Sequence, residues 1–187
     1  NRRQGRPSSP DPRRPEFHPN RAENRRFQPS REGWLYGWHA VLAALANPAR
    51  KCRRLVVTPE ALALNEGAIR QALAAGTSTH VSPETLPRAE IDRMIADGAT
   101  HQGIALLADG LPETAVEDIC RRSAESSGAR VVVLDQATDP RNVGAVLRAG
   151  AAFGCEAVII QDRHAPPSGG ALAKAASGAL ERVALVR

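Results

Sequence analysis

Aromatic residues make up 3% of this 187-residue chain, with two Trp, one Tyr and three Phe, and there is a single Met. The core is therefore expected to be built from Ala, Val, Leu and Ile. No run of eighteen apolar residues occurs and no short apolar stretch follows a basic start, so neither a membrane span nor a secretory signal is expected. Cysteine is scarce too: Cys52, Cys120 and Cys155 are odd in number and lack metal-ligand spacing. They are expected to be buried, reduced thiols in a cytoplasmic protein with no metal centre. The first position holds Asn1 rather than Met, so the chain is expected to be trimmed or incomplete at that end.

An excess of one charge is missing from most of the chain. The formal net charge is +5, and residues 1–33 carry all of it, with nine arginines against four acids. The remainder holds 16 basic and 16 acidic residues. A uniformly basic RNA-binding domain is thereby excluded, and only a local patch is left open. Residues 1–33 also contain six of the fourteen prolines, with Phe17 and Phe27 their only large apolar groups. Such a segment cannot bury enough surface to offset its ordering entropy and is expected to be disordered. It would serve either as an electrostatic arm for RNA phosphates or as a solubilising leader.

The stretch from Val131 to Gly154, VVVLDQATDPRNVGAVLRAGAAFG, organises what is present. Val131–Leu134 reads as a buried parallel strand, and Asp135–Arg141, with Pro140, as a polar loop. Asn142 is the expected N-cap of a helix whose Val143, Val146, Leu147 and Gly150 point inward. Gly154 falls where a left-handed C-terminal cap belongs, and Glu156–Gln161 reads as a second buried strand. The result is one βαβ unit, whose ligand site is expected past the strand ends, at Asp135–Asn142. Arg148 stands out on the helix because Gly144, Ala145, Ala151 and Ala152, three and four residues away, are all small. It is either an outer-face arginine in solvent or a guanidinium on a face that a substrate backbone can approach. Gly144 and Gly150 do not fit a dinucleotide-binding glycine pattern.

LDQATDPRNVGAVLRAGAAFG resembles the first signature motif of the SpoU (TrmH-like) RNA ribose 2′-O-methyltransferases, roughly L-D-x-V-x-D-P-x-N-x-G-A-x-x-R-x-A-x-x-F-G. Leu134, Asp135, Asp139, Pro140, Asn142, Gly144, Ala145, Arg148, Phe153 and Gly154 supply the match, with departures at Ala137 and Gly150. Further on, Lys174, Gly178 and Ala179 are similar to the family's lysine-containing helix and G-A pair, while Ala184 stands where a proline is usual. The resemblance implies that Arg148 and Asn142 are catalytic, Arg148 by orienting the 2′-oxygen or its phosphate and stabilising a developing alkoxide. Acting instead as a general base would require first deprotonating a guanidinium, which is a very weak acid. Asn142 would hold a substrate edge and the loop.

Upstream, a small α/β domain is expected over residues 34–108, able to fold by itself. A helix with Val41, Leu42 and Leu45 inward ends at Pro48; RRLVVT is a strand; Glu66–Ala75 is a helix closed by Gly76. THVS is a short strand, Ala89–Ala96 a helix ended by Gly98, and IALLA a closing strand. The Y-G-x-H-A-V and H-Q-G-I stretches resemble the substrate-binding domain of the RlmB-type branch. His39 and His101, inside those stretches, are read as structural, with His101 fixing a turn. A linker is expected at 109–114, then a helix at Ala115–Ala124 with Val116, Ile119 and Cys120 inward. The second domain spans 115–187, in which ALAKAASGAL is a helix and ERVALV a third strand.

The fold class is therefore α/β, a small RNA-binding domain followed by an incomplete α/β-knot (SPOUT) methyltransferase domain. The G-x-E-x-x-G and S-L-N motifs, which build the trefoil knot and most of the cofactor pocket in relatives, do not occur here. The resemblance thus implies S-adenosylmethionine as cofactor but no cofactor-binding residue in these 187, and a fragment that is inactive and aggregation-prone by itself. It implies a homodimer at full length and methylation of a guanosine ribose in large-subunit ribosomal RNA. A tRNA substrate, or a non-catalytic RNA-binding protein without the cofactor half, are the alternatives.

Overall fold

The computed structural model describes residues 33–187 except Thr79, Ser126, Ser127 and His164. Apart from Gly33, the expected disorder of residues 1–33 and either role for that arm lie outside the described residues.

The first sheet comprises β1 (Trp34–Tyr36), β2 (Cys52–Val57), β3 (Pro83–Thr85) and β4 (Ile104–Ala108), with helices α1 (Trp38–Ala46), α2 (Pro59–Ala75) and α3 (Arg88–Met94) between them. Its order is β1-β4-β2-β3, with β2 and β3 parallel and the other two pairs antiparallel. Strand β1 has no counterpart in the sequence reading. The third strand lies at Pro83–Thr85 rather than at THVS, where His80 lies in a turn and Val81 and Ser82 are irregular. Helix α2 begins at Pro59, where the Thr58 hydroxyl accepts the Ala61 N–H at 3.3 Å, and is kinked at Asn65. Glu66, the expected start, is the residue after the kink. The alanine-rich first half leaves Leu64 exposed and so lacks the apolar stripe that marks a helix.

The second sheet is β5 (Val131–Leu134), β6 (Ala157–Ile160) and β7 (Ala184–Val186), all parallel and in that order. The helices here are α4 (Val116–Ala124), α5 (Pro140–Ala152) and α6 (Gly170–Ala176), with a 3-10 turn at Ala179–Glu181. The βαβ unit β5-α5-β6 stands as expected, and Gly154, at φ 66°, takes the left-handed conformation after α5.

Several details differ from expectation. The N-cap of α5 is Asp139, whose Oδ1 accepts the Arg141 N–H at 2.8 Å; Asn142 lies within the first turn. Pro140 at the first helical position fixes this start, because its ring presets a helical φ and needs no N–H partner. Strand β5 is not buried: it is an edge strand, and Val133 is 70% exposed. Helix α4 covers Ala157 and Val186 through Ile119 and leaves the outward positions of β5 open. It touches that sheet with one stripe, so Val116 and Cys120, expected inward, are exposed. Of the three thiols only Cys52 is buried; Cys155 is half-buried, and all are free. The last predicted helix stops at Ala176, where Ser177 and Gly178 turn left-handed at φ 49° and 85°. A Cβ at Gly178 would lie 2.8 Å from Ala43 Cβ, so the chain turns there pressed against α1.

The two sheets share one core. Val41, Ala44 and Leu45 of α1 pack in the same cluster as Val143 and Leu147 of α5, Leu172 and Ala176 of α6, and Leu180. Gly170 lets α6 approach β1 so closely that a Cβ would sit 2.3 Å from the Tyr36 ring. A buried ion pair adds to the joint. Arg50 and Glu181, 2% and 4% exposed, bond through both guanidinium nitrogens that face the carboxylate, one of these bonds being 3.2 Å. Asn47 donates to Glu181 at 2.8 Å and Arg50 to the Asp109 carbonyl at 2.9 Å. With every partner satisfied, the pair does not carry the penalty of a lone buried charge.

Candidate functional site

The carboxyl end of β5 feeds α5, and α5 lies against α6 because Gly144 has no side chain; a Cβ there would meet Ala175 Cβ at 2.4 Å. The small residue beside Arg148 that the sequence offered as clearance for a substrate therefore serves helix packing at Gly144. Ala145 and Ala152 remain exposed. Where α5 and α6 meet the end of β1 and the loop at Gly98–Thr100, they enclose a cleft of about 600 Å³. That volume is in the range of small-ligand sites.

Three cations line the cleft: Arg141 and Arg148 of α5, and Lys174 of α6. Arg141 and Arg148 are seven residues apart, two turns of helix, so both project from one face. Lys174 is fixed from the opposite sheet: its ammonium donates to the Thr100 carbonyl and lies 5.9 Å from the centre of the Tyr36 ring. Burial holds the Tyr36 phenol above its ordinary pKa, so it stays neutral beside the lysine. The carboxylate at the cleft, Asp139, is engaged in capping α5. The field inside therefore favours an anion.

Arg148, singled out in the sequence, stands in this cleft. Asn142 is exposed on the first turn of α5 and does not line it. Sequence reasoning passed over Arg141, although its i, i+7 relation to Arg148 was readable. His101 and His39 do not line the cleft either. His101 is fully buried; its Nδ1 accepts the Gly103 N–H at 3.1 Å and its Nε2 donates to Asp92 at 3.0 Å. It fixes the turn into β4, as expected, and burial holds its pKa below the usual value. Among the described residues no group of three or more His, Cys, Asp or Glu could hold a metal ion, and no helix is long and apolar enough to cross a membrane.

The described cleft does not fit S-adenosylmethionine. Its one carboxylate, Asp139, is already spent on the helix end, so no lining group is left to hold the cofactor's cationic part.

The chain is α/β, with a parallel βαβ unit and a cation-lined cleft between α5, α6 and the end of β1. Two family profiles match it: "RNA 2′-O ribose methyltransferase substrate binding" matches residues 34–114, and "SpoU rRNA Methylase family" matches residues 129–187. The chain belongs to the SpoU family. An uncharacterized tRNA/rRNA methyltransferase of Mycobacterium avium is 32% identical over 146 residues, covering 75% of this chain and 47% of that protein. A homologue from Mycobacterium bovis is 31% identical over the same length. The chain spans about half the length of the curated relatives it matches. Among solved structures, the SpoU methyltransferase AviRb of Streptomyces viridochromogenes, with AdoMet, aligns at a TM-score of 0.59 and 17% identity, over 83% of this chain and 55% of that one. An AdoMet-bound rRNA methyltransferase of Sinorhizobium meliloti aligns at 0.58 and 19%, over 84% and 54%. At these identities the structures share the fold.

Proposed function

We propose that this chain carries the substrate-binding part and the beginning of the catalytic part of a cytoplasmic, homodimeric, S-adenosylmethionine-dependent RNA ribose 2′-O-methyltransferase. Its substrate is a guanosine of large-subunit ribosomal RNA. The observation that carries the reading is the cleft: two helices of the segment matching the methylase profile bring Arg141, Arg148 and Lys174 against a loop of the segment matching the substrate-binding profile. The proposed division is 34–108 for substrate binding, 109–114 as linker and 115–187 as the start of the catalytic unit.

Methyl transfer to a ribose hydroxyl needs the oxygen held in line with the donor carbon and its developing charge stabilised. When bound, S-adenosylmethionine would supply the methyl group; none of the residues lining the described cleft is assigned to hold it. Arg148, with a rigid donor fork, holds the 2′-oxygen or the adjacent phosphate. Arg141 and Lys174 hold neighbouring phosphates, and Asn142 holds an edge of the substrate from the first turn of α5. The charge on Arg148 is what stabilises the alkoxide as the hydroxyl proton leaves to water; Arg148 orients the oxygen and takes no proton from it.

Mass spectrometry of RNA from a gene-deletion strain tests the function. Loss of one 2′-O-methylguanosine from large-subunit ribosomal RNA is expected. Loss confined to tRNA would move the substrate, and an unchanged methylation map would make the protein a non-catalytic RNA binder.

A further inference from the structure

We propose that a second, smaller hollow beside the cleft is a nucleobase subsite, formed where Gly37, Trp38 and His39 meet Gln102, Lys174 and Ser177. The proposal rests on the RNA-binding reading above and assigns a ligand to residues which that reading leaves idle. The hollow is about 150 Å³, below the range of complete small-molecule sites, so it suits one planar ring of a larger ligand.

Two sequence stretches more than sixty residues apart, YGWHAV and HQGI, converge here. The Trp38 indole N–H donates to the Gln102 carbonyl at 3.1 Å, and the Trp38 backbone N–H to the Gln102 side-chain oxygen at 3.4 Å. The indole is thereby held in one orientation at the rim, half-buried, and the Gln102 amide nitrogen is left as a donor for a base edge. His39, exposed on the first turn of α1, adds a second flat, polar ring.

Backbone strain gathers at the same place. Among the described residues three non-glycine residues have positive φ, and two of them, Gln102 at 59° and Ser177 at 49°, line this hollow. Ser177 in this conformation ends α6 and Gln102 turns the chain into β4, so both rims of the hollow are held by the fold. Gly37, at φ 87°, holds a conformation that side chains rarely adopt, and a Cβ there would lie 3.2 Å from the Gln102 oxygen. Lys174 lines both the hollow and the cationic cleft. A ligand filling both must join a flat ring to an anion a few atoms away, which is the constitution of a nucleotide.

Binding of the 187-residue chain to a single-stranded RNA oligonucleotide and to an abasic ribose-phosphate chain of equal length, read by fluorescence anisotropy, tests this. The wild type should bind the RNA about tenfold or more tightly than the abasic chain, the effect of one stacked base. Gln102→Gly, which suits the positive φ, and His39→Ala, at an exposed site, should each reduce that preference several-fold and leave abasic binding unchanged. His39→Ala keeps the test intact if Gln102→Gly unfolds the turn. Equal weakening for both ligands, or no change for either, would overturn the subsite alone. A wild-type chain that binds neither ligand would overturn the RNA-binding reading and the subsite with it.

Discussion

Glu181→Gln should destabilise the whole described fold, including the first sheet that Glu181 is not part of. The glutamate accepts from Arg50 and Asn47 in a site where both charged side chains are almost fully buried. Glutamine keeps the size and one acceptor but leaves the Arg50 guanidinium uncompensated and points an NH₂ group at it. Breaking one side of a buried pair costs about 3–5 kcal/mol. The lower end applies because Arg50 retains the Asp109 carbonyl. For a chain of this size about 3 kcal/mol lowers the Tm by roughly 6–12 °C. The two tryptophans, Trp34 and Trp38, lie in β1 and α1, so their fluorescence reports the first sheet, and circular dichroism reports both. Because α1, α5 and α6 share one core, both signals should shift together in Glu181→Gln. The double variant Arg50→Met with Glu181→Leu should recover most of the loss, since an apolar pair of similar size carries no unmet charge. A tryptophan transition that stays at the wild-type temperature while the dichroism transition splits would refute the shared core. Residues 34–108 would then be a unit that folds alone.

The same substitution at two helical glycines should act in opposite directions in thermal unfolding. Gly144→Ala forces α5 from α6 and costs about 1–3 kcal/mol, while Gly67→Ala, with nothing within 4 Å, gains about 0.4–1 kcal/mol. Burial lowers the His101 pKa, so the unfolded chain takes up the proton first. The stability from neutral His101 is fully present above its ordinary value of 6.5 and is lost as pH falls below it. The urea midpoint should therefore drop between pH 7 and 5.5, and His101→Asn should flatten that drop. Removing residues 1–33, which hold the net charge of +5, should reduce the slope of log affinity for RNA against log salt by roughly 0.7–0.9 for each phosphate that the arm neutralises. An unchanged slope would leave the arm without an electrostatic role.

The βαβ unit was legible because its signals are local: a β-branched run, a helical period and a glycine at the left-handed position. The helix start was misread at Asn142 because two good caps compete within four residues, and Pro140 decides for Asp139. Strand β1 escaped notice because three residues carry no period; it exists because β4 offers an edge for pairing and α6 covers it. Which side of α4 faces inward depends on how little of the sheet it covers, so Val116 and Cys120 were misplaced. The shared core and the Arg50–Glu181 pair join positions over a hundred residues apart and leave no pattern in the sequence. Of the cleft, Arg148 and Lys174 were visible as motif residues, and Arg141 was readable from its spacing. Tyr36 and Thr100 enter only through the packing of α6 on β1.

The central claim is that Arg148 works at the reacting oxygen. The measurement that bears on it most directly is single-turnover ribose methylation by the enzyme as the cell makes it, with RNA binding followed in parallel. Arg148→Ala should lower the rate about 10²–10³-fold with little change in RNA affinity, the usual effect of removing a donor from a developing oxyanion. Arg148→Lys should recover only part of the rate if the planar fork is what positions the oxygen. Near-normal turnover in Arg148→Ala would contradict the account and leave Arg148 a cleft residue with no part in the reaction.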